Sequence, residues 1–185
     1  MGNQAYADAA ENLRRRRRGK VGKSWYVDET YIKVHGHWRY LYRAIDRSGA
    51  LVDVMLSEHR DMAAAKAFFV SAKMVTGIAP DRVTTDGHDS YPRAIRTTLG
   101  AGVRHRDSQY LNNRLEQDHR GVKGRYGPMR GFKCLRSAGR FCRAYDELRN
   151  FLRSRSRTNQ PVSADYRRFH FLRRTATVLS VLQAA

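Results

Sequence analysis

Three acidic residues stand at places in this strongly basic chain where folding preferences alone do not ask for them. Asp28 falls within Trp25-Tyr26-Val27-Asp28-Glu29-Thr30, a β-branched and aromatic run that disfavours Asp. Asp86 closes Val83-Thr84-Thr85-Asp86-Gly87, at the carboxyl end of a predicted strand, where open sheets gather their ligands. Glu116 belongs to the polar segment Asn112-Asn113-Arg114-Leu115-Glu116-Gln117-Asp118-His119. The first pair is separated by 57 residues and the second by 29. Taken singly, a surface ion pair, a turn former and an acid complementing a helix dipole account for them. Brought to one point, three carboxylates repel one another unless a cation holds them. Mg2+ suits such hard oxygen ligands, and two ions about 4 Å apart support in-line phosphoryl displacement.

A basic side chain fits the same chemistry. Lys123 follows Glu116 by seven residues, and at about 100° per residue the two project from nearly one helix face. His119 and Arg120 lie between them on that side, so the helix offers one acid toward a metal and cations toward a phosphate backbone. A solvated, salt-bridged face is the alternative reading.

The elements that must carry these residues can be read from period and punctuation. Trp25 to Val34, Trp38 to Ile45 and Ala50 to Leu56 are β-rich runs separated by turns at Gly36 and at Asp46-Arg47-Ser48-Gly49, which predicts a three-stranded antiparallel meander. Asp61 can cap a helix from Met62 to Thr76 with Ala64, Ala65, Phe68, Phe69, Ala72 and Val75 on its apolar face, ended by Gly77. A short strand over Arg82 to Thr85, a short helix from Tyr91 to Leu99 and another strand over Val103 to Arg106 follow. Asn112 or Asn113 then caps a polar helix reaching about Arg125. After a break at 127–132, Leu135 to Leu152 reads as a final helix burying Phe141, Tyr145, Leu148 and Leu152. The last thirty residues look less regular. The pattern describes an α+β or α/β sheet covered on both faces.

Composition bounds the partner. The chain has 185 residues, the length of one domain, with 36 Lys and Arg against 17 Asp and Glu, a net charge of +19. At 41% apolar residues it has material for a core, which excludes an unstructured polycation. No run approaches a membrane span or a secretory signal, so the chain reads as soluble and intracellular. Two cysteines, Cys134 and Cys142, make no disulfide framework or zinc motif and read as inert thiols. Arg14, Arg15, Arg16, Arg17 and Arg18 form a block that no interior is expected to accommodate, and a second Arg-rich stretch runs through the C-terminal third. Guanidinium groups grip phosphates bidentately, so this surplus points to nucleic acid over a merely solvated surface.

The strings Val27-Asp28-Glu29-Thr30-Tyr31-Ile32-Lys33-Val34, Trp38-Arg39-Tyr40-Leu41-Tyr42-Arg43-Ala44-Ile45-Asp46, Tyr110-Leu111-Asn112-Asn113-Arg114-Leu115-Glu116-Gln117-Asp118-His119-Arg120 and Gly131-Phe132-Lys133 resemble the DDE transposases of the insertion-sequence six family of bacteria and archaea. The similarity spans about residues 24 to 152. It implies an RNase H-like, integrase-type mixed sheet, three antiparallel strands followed by shorter ones and flanked by helices. It also implies Asp28, Asp86 and Glu116 as a catalytic, metal-binding triad, with Lys123 at the basic position after the glutamate. Such enzymes cut at transposon ends and join the 3′-hydroxyl to target DNA, using two Mg2+ ions, for which Mn2+ can substitute, and no covalent protein intermediate. The partners implied are transposon-end and target DNA and further copies in a homodimer or larger synaptic complex, with no membrane, in a cytoplasmic, nucleoid-associated setting.

The expected division is a basic arm at 1–23, a catalytic domain at 24–153 and a basic tail at 154–185. Family members carry a helix-turn-helix region ahead of the catalytic domain; about 23 largely basic residues stand there, so the recognition module is expected to be missing or replaced. The interval from Asp86 to Glu116 is a few residues shorter than usual, with the deficit around 100–106. Lys123, Arg120, His119 and the block Arg14 to Arg18 are the expected DNA contacts. A catalytically silent DNA-binding remnant and a two-metal nuclease of the same fold remain alternatives. His35 and His37 read as an exposed hairpin tip, Tyr31, Tyr40 and Tyr42 as core or sheet-face aromatics, and Ser108 and Ser137 as residues without a nucleophilic role.

Overall fold

The computed structural model describes residues 2–15, 18–108, 113–153 and 162–183. Its centre is a five-stranded sheet in the order β3-β2-β1-β4-β5. Strands β1 (Ser24–Val34), β2 (His37–Asp46) and β3 (Leu51–Ser57) form the expected antiparallel meander. The β1–β2 turn is held by His35 and Gly36 with φ of 50° and 80°, the paired left-handed conformation that matches the twist of a tight hairpin. Strands β4 (Arg82–Thr85) and β5 (Arg104–Asp107) add on the other side of β1, both parallel.

Helices cover both faces. Helix α2 (Met62–Thr76) begins where the Asp61 carboxylate accepts from Ala64 N–H at 2.8 Å and ends at Gly77. With α3 (Ser90–Thr98) it encloses one core, in which Phe68, Phe69, Tyr91 and Ile95 meet Trp25, Val27 and Tyr42 of the sheet. The opposite face packs Ile32, Val34, Leu41 and Val54 against α4 (Asn113–Tyr126) and α5 (Leu135–Leu152) through Val122, Ala138 and Cys142. Helix α1 (Gly2–Arg15) packs against α5, and α6 (Ala164–Gln183) contacts α5 as well.

Three expectations change. The last thirty residues contain a 20-residue helix, α6, whose Phe169, Phe171, Leu172 and Leu179 are exposed; without a buried apolar stripe, its sequence carries no clear helical period. The fully buried face of α5 is Ala138, Cys142, Asp146 and Glu147, with Phe141 and Tyr145 only partly covered at its flank. The register shifts because Asp146 must reach Arg43, buried in β2, with which it pairs at 2.5 Å. Thirdly, the basic block does enter the interior. Arg14, 16% exposed, pairs at 3.3 Å with Asp53, which is fully buried on β3, and donates to Ser71 on α2. Arg15 and Arg18 are exposed, whereas Arg16, Arg17 and Asn112 lie outside the described residues.

The Arg43–Asp146 pair generates a stability prediction. Asp146→Ala takes a carboxylate away from a buried guanidinium and is expected to cost about 3–5 kcal/mol in chemical denaturation, whereas Arg43→Leu with Asp146→Leu recovers a large part of that loss.

Candidate active site

The site is built by strand register. Ser24, Trp25 and Tyr26 of β1 lie beside Arg82, Val83 and Thr84 of β4, and two residues farther along each strand come Asp28 and Asp86. Strand β4 stops at Thr85, so β1 has no neighbour on that side beyond Tyr26. Through this gap Glu29, which alternation puts on the opposite face from Asp28, reaches the same place. One carboxylate oxygen from each of Asp28, Glu29 and Asp86 lies within 4.8 Å of the other two. Gly87 sustains the turn: its φ is 91°, and a Cβ there would stand 2.6 Å from the Asp107 carboxylate.

The three acids are compensated unequally. Arg60, in the connection from β3 to α2, pairs with Glu29 through Nε and sets Nη2 3.5 Å from Asp86 Oδ2. The Tyr91 hydroxyl donates to the other Glu29 oxygen, and burial together with the Glu29 charge holds the Tyr91 proton well above the usual phenol range. Among the described residues, Asp28 accepts only the Glu29 N–H, at 2.9 Å. Burial first, then the charges of Asp86 and Glu29, push its carboxyl up to about 7, and Glu116 adds to the effect. A half-buried set of hard oxygens that repel one another fits a divalent cation.

Helix α4 borders the site on the other face. Leu115 and Val122 anchor it in the core, and His119 between them is buried, with Nδ1 3.9 Å from Asp28 Oδ2. That distance is too long for a hydrogen bond, and burial together with Arg43 and Lys123 lowers His119 to about 3, so the ring is neutral near pH 7. His119 therefore faces the acids from inside, not a DNA backbone from outside. Glu116, Arg120 and Lys123 are exposed. Glu116 is near enough to act on Asp28 electrostatically but outside the three-acid cluster.

Residues 22–155 match a family model of the DDE domain, the IS240-type transposase domain. The chain belongs to the DDE transposases of the insertion-sequence six family. Curated relatives include the Staphylococcus aureus transposases for the insertion sequence-like element IS431mec and for insertion sequence element IS257 in transposon Tn4003. Each is 39% identical over 126 residues, 66% of this chain and 56% of the relative, so the chain spans just over half their length. Among solved structures, the simian T-cell lymphotropic virus intasome in complex with PP2A regulatory subunit B56 gamma contains a chain that superposes with a TM-score of 0.53. That match covers 77% of this chain and 53% of the other at 14% identity, a likeness of fold. The DDE domain is thus RNase H-like, as its sheet order also indicates. No helix among the described residues is long and apolar enough to cross a membrane.

Sequence reasoning did not single out Glu29, Arg60 or Tyr91. The available signal was parity: with Val27 inward on one face, Glu29 points the same way and needs a cation, which the partly exposed Arg60 supplies.

The raised Asp28 proton affinity fixes a pH dependence. Between 3.8 and about 7 the folded DDE domain binds more protons at Asp28 than the unfolded chain does, so this contribution to stability falls as pH rises through the window and is flat above it. In EDTA, Asp28→Asn is expected to remove that decline and to raise the melting temperature at pH 8 by several degrees, read by thermal denaturation across pH.

Proposed function

We propose that this DDE domain cleaves DNA strands and transfers them during transposition of an insertion sequence, with Asp28, Asp86 and Glu116 as its catalytic acids. The observation that carries the reading is the convergence of Asp28 and Asp86 beside a raised proton affinity in a chain of charge +19. Asp28, Asp86 and, from α4, Glu116 would hold the divalent cations, Mg2+ by the hardness of the ligands, with Mn2+ able to substitute. Two such ions, when bound, neutralise charge on the phosphoryl group and favour ionisation of the attacking hydroxyl. The chain's own residues do the rest. Arg60 holds the Asp86 side chain toward the acids, and the exposed Lys123 and Arg120 take phosphates of the DNA backbone along α4. Neutral His119 fills the space behind Asp28 without competing for its charge.

The partners in this reading are transposon-end DNA, target DNA and further copies of the chain in a dimer or larger synaptic assembly. Of the arginine block, Arg18 and Arg15, the latter in an exposed pair with Glu11 at 3.7 Å, are open to phosphates, whereas Arg14 is engaged with Asp53. Such a chain works on nucleoid DNA in the cytoplasm.

Asp28→Asn, Asp86→Asn and Glu116→Gln are each expected to lower Mg2+-dependent strand transfer roughly 10²- to 10³-fold on oligonucleotide ends, the scale of losing one preorganised electrostatic group. DNA binding by gel shift should persist in all three. Glu29→Gln, which frees Arg60 and Tyr91, should act mainly on melting temperature. Transfer undiminished in the three acid variants overturns the assignment, and products that are hydrolysed but never joined identify a nuclease.

A further inference from the structure

One face of the β1–β2 hairpin presents aromatic rings to solvent. Tyr31 and Trp38 are 42% and 55% exposed, and Tyr31 stands edge-on to Trp38 at 6.4 Å and beside Tyr40 at 5.3 Å between ring centroids. Register explains the grouping, since Tyr31 pairs with Tyr40 and Lys33 with Trp38 across the two strands, on the face that also carries Glu29. Lys33 lies over the Trp38 ring, its Nζ 5.1 Å from the centroid. At the hairpin tip Lys33 also lines a cavity of about 460 Å³ together with Arg130 and Lys133.

The row runs directly to the acids. The Tyr31 hydroxyl accepts from Arg60 Nη1 at 3.3 Å, and the same guanidinium sets Nη2 3.5 Å from Asp86. Four residue steps of strand lead from Glu29 to Lys33, about 13 Å at the usual rise, which is roughly four stacked nucleotides.

We propose that Tyr31, Trp38 and Tyr40 form a stacking platform for unpaired bases of a DNA strand entering the acidic site, with Lys33, Arg130 and Lys133 on its phosphates. This inference rests on the reading that the substrate is DNA. Exposed ring faces interleaved with cations suit single strands, whose bases offer free π-faces; in a duplex those faces are already stacked on one another. Charge complementarity selects a polyanion as the occupant, and continuity through Arg60 ties the platform to the acids.

The two tryptophans make the test direct, because Trp25 is fully buried and Trp38 is exposed. The full chain in EDTA is titrated with single-stranded oligothymidylate and with a blunt duplex of equal length, following tryptophan emission and anisotropy of labelled DNA. The single strand should quench the Trp38 emission. Trp38→Ala should weaken single-strand binding roughly five- to a hundredfold while leaving duplex binding unchanged, and Trp38→Phe should retain most of it. Equal weakening toward both DNAs, unchanged single-strand affinity in Trp38→Ala, or a change in sedimentation alone, which would mark a contact between copies, each overturns the platform. Failure of the platform leaves the dependence of strand transfer on Asp28 intact, whereas absence of binding to either DNA refutes the underlying DNA reading.

Discussion

The parallel pairing of β1 with β4 is the constraint on which the rest depends. Register over three residue pairs carries two strands, far apart in sequence, to the point where Asp28 and Asp86 stand side by side. Two unit charges 4 Å apart cost about 4 kcal/mol at an effective dielectric of 20, so the fold must hold these strands against that repulsion. It does so with apolar packing on both faces of the sheet, helped by Arg60 between Glu29 and Asp86. Trp25 and Val27 on one side of β1, and Ile32 and Val34 farther along on the other, are buried in two separate cores, so neither strand can slip without turning apolar side chains outward.

The charge of +19 is not one quantity. Arg14, Arg43 and Arg60 are drawn inward to Asp53, Asp146 and Glu29, and Arg174 donates to the Phe151 and Arg153 carbonyls at the end of α5. The first three answer to buried carboxylates, and removing one member of the fully buried Arg43–Asp146 pair costs several kcal/mol. Lys123, Arg120 and Lys33 are exposed, and their mutual repulsion is screened within about 10 Å at ordinary salt. Exposed cations of this kind, with Arg130 and Lys133 among them, are the ones available to a polyanion. Net charge therefore overstates the binding surface and says nothing about which arginines supply it.

What the sequence made legible follows the range of the interactions concerned. The meander, the Asp61 cap and the end of α2 depend on neighbouring residues and emerge at the expected positions. The inward face of α5 depends on Asp146 finding Arg43, 103 residues away, and hydrophobic period alone selects Phe141 and Tyr145 instead. Asp28 and Asp86 were suspicious by residue type, but their adjacency is a property of the parallel register, which leaves no trace in local sequence. Glu29 was hidden by its neighbour: in a regular strand Asp28 and Glu29 face opposite ways, and only the early end of β4 lets them meet.

That meeting poses a question of roles, since two adjacent acids at one point are chemically near-equivalent. Their surroundings separate them. Glu29 has Arg60 on one oxygen and the Tyr91 hydroxyl on the other, so both of its oxygens are engaged. Asp28 is influenced by burial and by the carboxylates of Asp86, Glu29 and Glu116, all raising its proton affinity, against a single backbone N–H. The nearby imidazole does not correct this imbalance. Arg43 and Lys123, together with burial, keep His119 neutral, so a residue that could have supplied a cation to Asp28 supplies none. A cation placed at the acids thus gains more from Asp28 than from Glu29, whose charge Arg60 has already met. The ordering follows from electrostatics alone: it favours Asp28 over Glu29 as the ligand in the proposed reading and leaves Glu29 paired with Arg60 beside Asp86.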